Sequence, residues 1–316
     1  MDSEENKYIN PFTDYGFKLL FGSEKAKANM MYLINSLELV ENKVVDIEYM
    51  NKEQTPERRS GRVIIYDIKC RTDKDDIFIV EMQNCRQEWF MARSVYYVSR
   101  AISDQGESGR DWEYDLMPVY YVAMMNFVMP ELGDSFRVDG AITDLKTHRP
   151  LTGLCHYTFL QMPLFKAEAR ECNTELQKLS YLMNNMEKMK ELPWRSNADL
   201  ERLEEFARRA NLSEDDAYWY EKSLQNYRDN LSVRHTAYKG GRAEGLAEGR
   251  AEGRAEGRAE GRAEGRAEGL AEGRAEGEAA GLAKAIDRLL ASGMSVDDVI
   301  KILGVTYDDV INAKMK

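Results

Sequence analysis

Two runs rich in β-branched and aromatic residues, 63–70 and 77–83, flank the polar segment Thr72-Asp-Lys-Asp-Asp76. Runs of this kind on either side of a short polar turn predict a β-hairpin. Each run also carries a carboxylate, Asp67 in one and Glu81 in the other, among residues that a strand normally buries. Side chains alternate along a strand with a period of two. Val63, Ile65, Asp67 and Lys69 therefore share one face, opposite Ile64, Tyr66, Ile68 and Cys70. In the second run Ile77, Ile79, Glu81 and Gln83 share a face, opposite Phe78, Val80 and Met82. If Asp73, Lys74 and Asp75 form the loop, Thr72 pairs with Asp76, Lys69 with Ile79, and Asp67 with Glu81. Directly opposed residues have Cβ atoms about 4.5–5.5 Å apart, where like charges repel. A slip of one residue sends the two acids to opposite faces.

A close carboxylate pair is stable when one partner takes up a proton or when a cation sits between them. Hard divalent ions such as Mg²⁺ take oxygen ligands, often one or two carboxylates with water and substrate phosphate. Gln83, two residues along the same face from Glu81, is placed to orient a water or a phosphate oxygen. An exposed hairpin with a solvated polar face gives the same residue pattern without any chemistry.

The four cysteines form no C-x-x-C pair, and His148, His156 and His235 are scattered, so neither a disulfide framework nor a zinc cluster is expected. The first residues carry no apolar leader, and no run approaches the ~18 apolar residues of a membrane span. A reduced, cytoplasmic protein with no membrane partner is expected. The formal net charge of -11 argues against nucleic-acid binding over the whole surface, while leaving room for a local basic groove.

Along the chain, residues 1–40 read as helical, with Thr13 and Ser23 as caps and Gly22 as a stop. Residues 43–50 alternate as a strand, and the polar linker 51–61 follows. After the hairpin, 87–102 reads as a helix, and 117–129 and 153–165 read as buried strands. From about residue 172 the pattern is helical, with Ser213-Glu-Asp-Asp216 as a capping signature. The expected fold is α/β: a mixed sheet flanked by helices, followed by a helical C-terminal region. The expected organisation is a core at 1–170, a helical region at 171–239 on or after it, a low-complexity repeat at 240–285 and a small helical tail at 286–316.

In the repeat, glycine recurs every fourth residue from Gly241 to Gly281, mostly with Arg-Ala-Glu between. Each glycine costs about 0.8–1 kcal/mol of helix stability relative to alanine. Arg falls four residues from Arg and Glu four from Glu, a spacing that disfavours a lone helix. A solvated spacer, helical only in part, is expected. In the tail, Gly293 and Gly304 are stops, with Ser295 and Thr306 as caps. This is similar to a helix-turn-helix, but Asp308 and Asp309 suit its last helix poorly to a major groove. Self-association through this tail is expected, with Leu289, Leu290, Ile300 and Leu303 packing between chains.

A strand with Asp, a turn, and a strand with Glu-x-Gln together resemble the PD-(D/E)XK nuclease superfamily. The segments "DYGFKLLFG" (14–22), "YDIKC" (66–70), "IFIVEMQ" (77–83) and "FMARSVYYVSR" (90–100) resemble, more closely, the Rpn family of recombination-promoting nucleases, or PD-(D/E)XK nuclease family transposases. The resemblance covers roughly residues 8–240 and implies a restriction-endonuclease-like sheet. It also implies a metal-dependent DNA endonuclease, linked to recombination or transposition, with Mg²⁺ or another divalent cation on Asp67 and Glu81. Gln83 stands where the superfamily has lysine, and would position the attacking water. Asp14 matches the N-terminal motif, either as a third acid at the site or as a helix-start acid favoured by the helix dipole. Lys69, Arg93 and Arg100 are the candidates for the positive charge that lysine would have brought. The alternative is a DNA-binding or assembly protein that keeps the fold without turnover.

Overall fold

Thr13 starts the first helix as its position requires: its side chain accepts from the Gly16 N–H, and α1 runs Asp14–Phe21. This computed structural model describes residues 6–51, 53–54, 64–106 and 113–314. Ser23 caps a short 3-10 turn, which leads into α2, Lys27–Leu37. The strands and helices that follow are β1 Ile47–Tyr49, β2 Glu53–Gln54, β3 Ile64–Ile65, β4 Ile68–Thr72, β5 Ile77–Gln83, α3 Phe90–Ser103, β6 Val119–Met125, β7 Arg137–Ala141, β8 Cys155–Gln161, α4 Glu175–Asn185 and α5 Ala198–Ala207. The long helix α6, Glu214–Ala291, is followed by α7, Val296–Leu303, and α8, Tyr307–Lys314. The chain divides into two compact units, Met1–Leu231 and Ser232–Lys316.

The first unit is built on a mixed six-stranded sheet in the order β1-β4-β5-β6-β8-β7. Strands β5, β6 and β8 are parallel, and the outer pairings are antiparallel. Alternation along β5 sorts the interior into two cores. Phe78, Val80 and Met82 join Tyr120, Val122, Met124 and Leu160 beneath α1, α2, α4 and α5. Ile77 and Ile79 join Val119, Tyr121, Met125 and Phe159 beneath Phe90 and Val98 of α3. Each fully buried apolar side chain contributes about 1.5–3 kcal/mol, so helices pressed on both faces hold the sheet rigid.

The hairpin register is as expected: Lys69 pairs with Ile79 and Cys70 with Phe78. The strand leading to it is not continuous. It breaks between β3 and β4, with a bend at Asp67, and β3 pairs with β2 in a separate two-stranded sheet. The break shifts the alternation. Tyr66 packs in the core beneath α3, whereas Ile68 and Cys70 pack in the opposite core. The expected sharing of one face by Tyr66, Ile68 and Cys70 is therefore corrected. Val63 and most of the polar linker lie outside the described residues. Strand β7 gave no signal in the sequence: it is a partly exposed edge strand that ends in Gly140 and Ala141, with no apolar run.

In the second unit, the repeat is helical throughout, within α6, where a partly helical spacer was expected. Ala, Arg and Glu are strong helix formers, and once a helix is nucleated each further residue adds a hydrogen bond at low entropic cost. After it, Gly293 (φ 90) and Gly304 (φ 65) turn the chain at backbone angles that suit glycine. Ser295 caps α7. The end of α6 then packs with α7 and α8 around Ile286, Val299 and Val310. Leu289, Leu290, Ile300 and Leu303 pack, partly buried, against that cluster within the chain. Among the described residues, no helix is long and apolar enough to cross a membrane.

Candidate functional site

The bend at Asp67 brings the two acids together through their backbones as well as their side chains. The Asp67 N–H donates to Glu81 Oε1 at 3.2 Å, and the Met82 N–H donates to Asp67 Oδ2 at 3.0 Å. Each carboxylate thus takes a backbone donor that the interrupted ladder leaves unpaired. The pair lies at the carboxyl-terminal half of β5, which is parallel to β6, and Glu81 pairs with the small Ala123 there. Ligand sites of open α/β sheets gather at this end of parallel strands.

Glu81 is buried. Burial, then the neighbouring Asp67 charge, pushes its carboxyl up to about 8, against hydrogen bonding by the Asp67 N–H and the charges of Arg93 and Lys18. Asp67 is also raised, by burial first, with the Met82 N–H, Lys18 and Arg93 opposing and Asp14 adding. Burial and the neighbouring charge thus favour the protonated form of Glu81 in the metal-free site. A cation between the oxygens would displace that proton.

The remaining expected residues divide. Gln83, at the end of β5, accepts at Oε1 from an Arg93 guanidinium nitrogen at 2.8 Å and donates from Nε2 to the Cys85 carbonyl at 3.2 Å. Arg93 donates a second bond to Gln87 Oε1 at 2.5 Å and lies over the rings of Phe90 and Tyr97. Asp14 is exposed and paired with Lys18 at 2.9 Å, and the charges of both reach Asp67. Lys69 lies two residues from Asp67 in the chain. It is buried, its ammonium sits 5.3 Å from the centroid of the Tyr66 ring, and its charged neighbours are Asp104, Arg71 and Arg100. The bend, by sending Tyr66 to this face, places the ring beside the lysine. Arg100 pairs with Asp104 at 2.8 Å.

Two residues of the site were not foreseen. Lys18 stands one helical turn after Asp14, and the i,i+4 acid–base spacing was its signal in the sequence. Tyr121 gave none, since it sits inside an apolar strand. Its hydroxyl is buried without a hydrogen-bond partner, as is Arg93 Nε. Burial, then the Glu81 charge, holds the Tyr121 phenol well above its ordinary range.

The helix that carries Asp14 and Lys18 is fixed by the preceding loop. The Asn10 N–H donates to the Tyr220 hydroxyl, Asn10 Oδ1 accepts from the Phe12 N–H, and the Thr13 hydroxyl donates to the Asn10 carbonyl. Gly16 lets this loop close: a Cβ there would stand 2.5 Å from the Asn10 carbonyl oxygen.

Among the described residues, no three His, Cys, Asp or Glu side chains gather into a metal-holding group. The acids are a pair. Among the described residues, Asp67 Oδ1 and Glu81 Oε2 take no hydrogen bond. Two carboxylates with open oxygens suit a hard divalent cation whose other ligands are water and phosphate. Such a pair, with a guanidinium close by, can bind a phosphodiester through metal and cation together. A family model described as PD-(D/E)XK nuclease family transposase matches residues 11–237. No curated protein and no solved structure matches the chain.

Proposed function

The chain belongs to the PD-(D/E)XK nuclease family transposases, and from that premise we propose that it is a divalent-metal-dependent DNA endonuclease acting in recombination or transposition. Asp67 and Glu81 are the metal-holding residues, and Mg²⁺ is the cation that best suits them. When bound, the ion supplies Lewis-acid activation of a water and neutralises charge on the scissile phosphate. Glu81 would hold the ion as its carboxylate, without the proton that burial favours in the metal-free site. The backbone N–H groups of Asp67 and Met82 hold one oxygen of each carboxylate, and the other oxygen of each would be the one to take the ion. Asp14 and Lys18 add an ion pair at the rim, within electrostatic reach of Asp67.

The observation that carries this reading is the reciprocal stapling of two carboxylates at the bend before β4, at the carboxyl end of β5, in a chain of this family. Supercoiled-plasmid nicking with and without Mg²⁺ tests it. Nicking should need the ion and should vanish in Asp67→Ala and Glu81→Ala. A protein that binds plasmid but never nicks it would turn the reading to a DNA-binding protein on a nuclease fold. Self-association belongs to the tail, where Ile302 and Tyr307 are 60% and 58% exposed beside the small three-helix core.

A further inference from the structure

Arg93 differs in its surroundings from Lys18, Arg86 and Arg100. Lys18 is neutralised by Asp14, Arg100 by Asp104, and Arg86 by Glu131. Arg93 is held by two neutral amides, Gln83 and Gln87. Among the described residues, no carboxylate lies within ion-pair distance of it. The rings of Phe90 and Tyr97, 5.5 and 5.7 Å from the guanidinium carbon, hold its plane without removing its charge. Its Nε is buried and lacks a partner, a donor still to be satisfied. Both Asp67 and Glu81 feel its charge.

The Gln83 amide, in turn, is oriented from both ends. Its nitrogen is tied to the Cys85 carbonyl, so its oxygen faces the guanidinium. That is a poor arrangement for steering a water and a good one for aiming an arginine. A glutamate here would cancel the arginine's charge, and a lysine would repel it.

Resting on the endonuclease reading, we propose that Arg93 is the phosphate-binding cation of this site, presented from α3, and that Gln83 is the residue that positions it. A planar guanidinium offers paired donors to phosphate oxygens. Its place beside the acids lets it meet the negative charge that builds on the phosphate as the bond to the leaving oxygen breaks.

The test moves the charge from helix to strand. Lysine at 83 lies on the same strand face as Glu81, two residues on, and can send an ammonium to where the guanidinium now ends. Arg93→Ala should slow plasmid cleavage about 10²–10³-fold, the scale for losing one preorganised contact to developing charge. Gln83→Lys alone should also fall below the parental rate, because two cations then compete for one place. The double variant Gln83→Lys/Arg93→Ala should cleave at least ten times faster than Arg93→Ala. Thermal unfolding of each variant checks that the fold is retained, and a purely structural role for Arg93 gives no such rescue.

A second readout needs no cleavage. In metal-free buffer, affinity for a short fluorescein-labelled duplex is measured against salt. The slope should shrink by about one for Arg93→Ala and return in the double variant. If Gln83→Lys matches or exceeds the parental rate and the double variant is no better than Arg93→Ala, the assignment is overturned while the nuclease reading stands. If no variant cleaves but the salt slope follows the charge, the cation assignment stands and the nuclease reading falls.

Discussion

In the first unit, a Cβ on Gly16 would stand 2.5 Å from the Asn10 carbonyl oxygen and 2.5 Å from Thr13 Oγ1; in the second, a Cβ at Gly253 or Gly265 meets nothing within 4 Å. The same residue type thus answers to tertiary neighbours in one region and to nothing but the helix backbone in the other. Charges divide the same way. Glu81 is buried, with its carboxyl displaced by burial and by Asp67, whereas the repeat's arginines and glutamates are exposed. Where packing decides identity, a substitution alters stability and chemistry sharply. Where local propensity decides, effects are small and add along the helix.

The largest expected effect is at the acids. Asp67→Ala and Glu81→Ala should each abolish metal-dependent nicking, while circular dichroism shows the sheet intact. Plasmid nicked at the parental rate by either variant removes the pair from the mechanism.

Gly16→Ala comes next. Its methyl has no room against the Asn10 carbonyl, so overpacking should lower stability by about 1–3 kcal/mol in urea unfolding. The same change at Gly253 should raise helix stability by about 0.8–1 kcal/mol, the ordinary glycine-to-alanine difference. If both variants move in the same direction, the contrast between the two regions is lost.

A pH series sharpens the electrostatic half. Glu81 is raised from an ordinary 4.5 to about 8. Between those values the folded metal-free chain keeps a proton that the unfolded chain has released, so stability falls as pH rises through that window. Urea midpoints measured between pH 5 and 8 should show this decline, and Glu81→Gln should flatten it. Mg²⁺ should recover more stability at the alkaline end. A Glu81→Gln protein with an unchanged slope would place the titration elsewhere.

The smallest expected effect is on cleavage by a chain ending at Lys239. It should nick plasmid as the full chain does, since the acids, Arg93 and Gln83 all lie in the first unit. Its sedimentation should shift to monomer. Identical profiles for the two proteins would remove the tail from self-association.

Much of the site could be read without coordinates. Alternation along 77–83 set Glu81 and Gln83 on one face, and counting outward from the Asp73-Lys74-Asp75 loop gave the register that the structure has. The caps at Thr13, Ser295 and Thr306 were legible because capping is a bond between residues two or three apart. The helicity of the repeat was misjudged because the glycine penalty was weighed without the gain of extending a helix already begun.

What the sequence by itself determined is therefore local and periodic: helix starts and stops, strand faces, the hairpin register and the family motifs that those elements carry. Tertiary structure alone decided the rest. The bend at Asp67 moved Tyr66 to the other core and set its ring beside Lys69. Packing of α3 on the sheet joined Arg93 to Gln83, ten residues away. The same packing left the Tyr121 hydroxyl unpartnered in the core beneath α3. Such contacts arise where one strand breaks and a helix crosses another strand, and no pattern of period two or 3.6 encodes them.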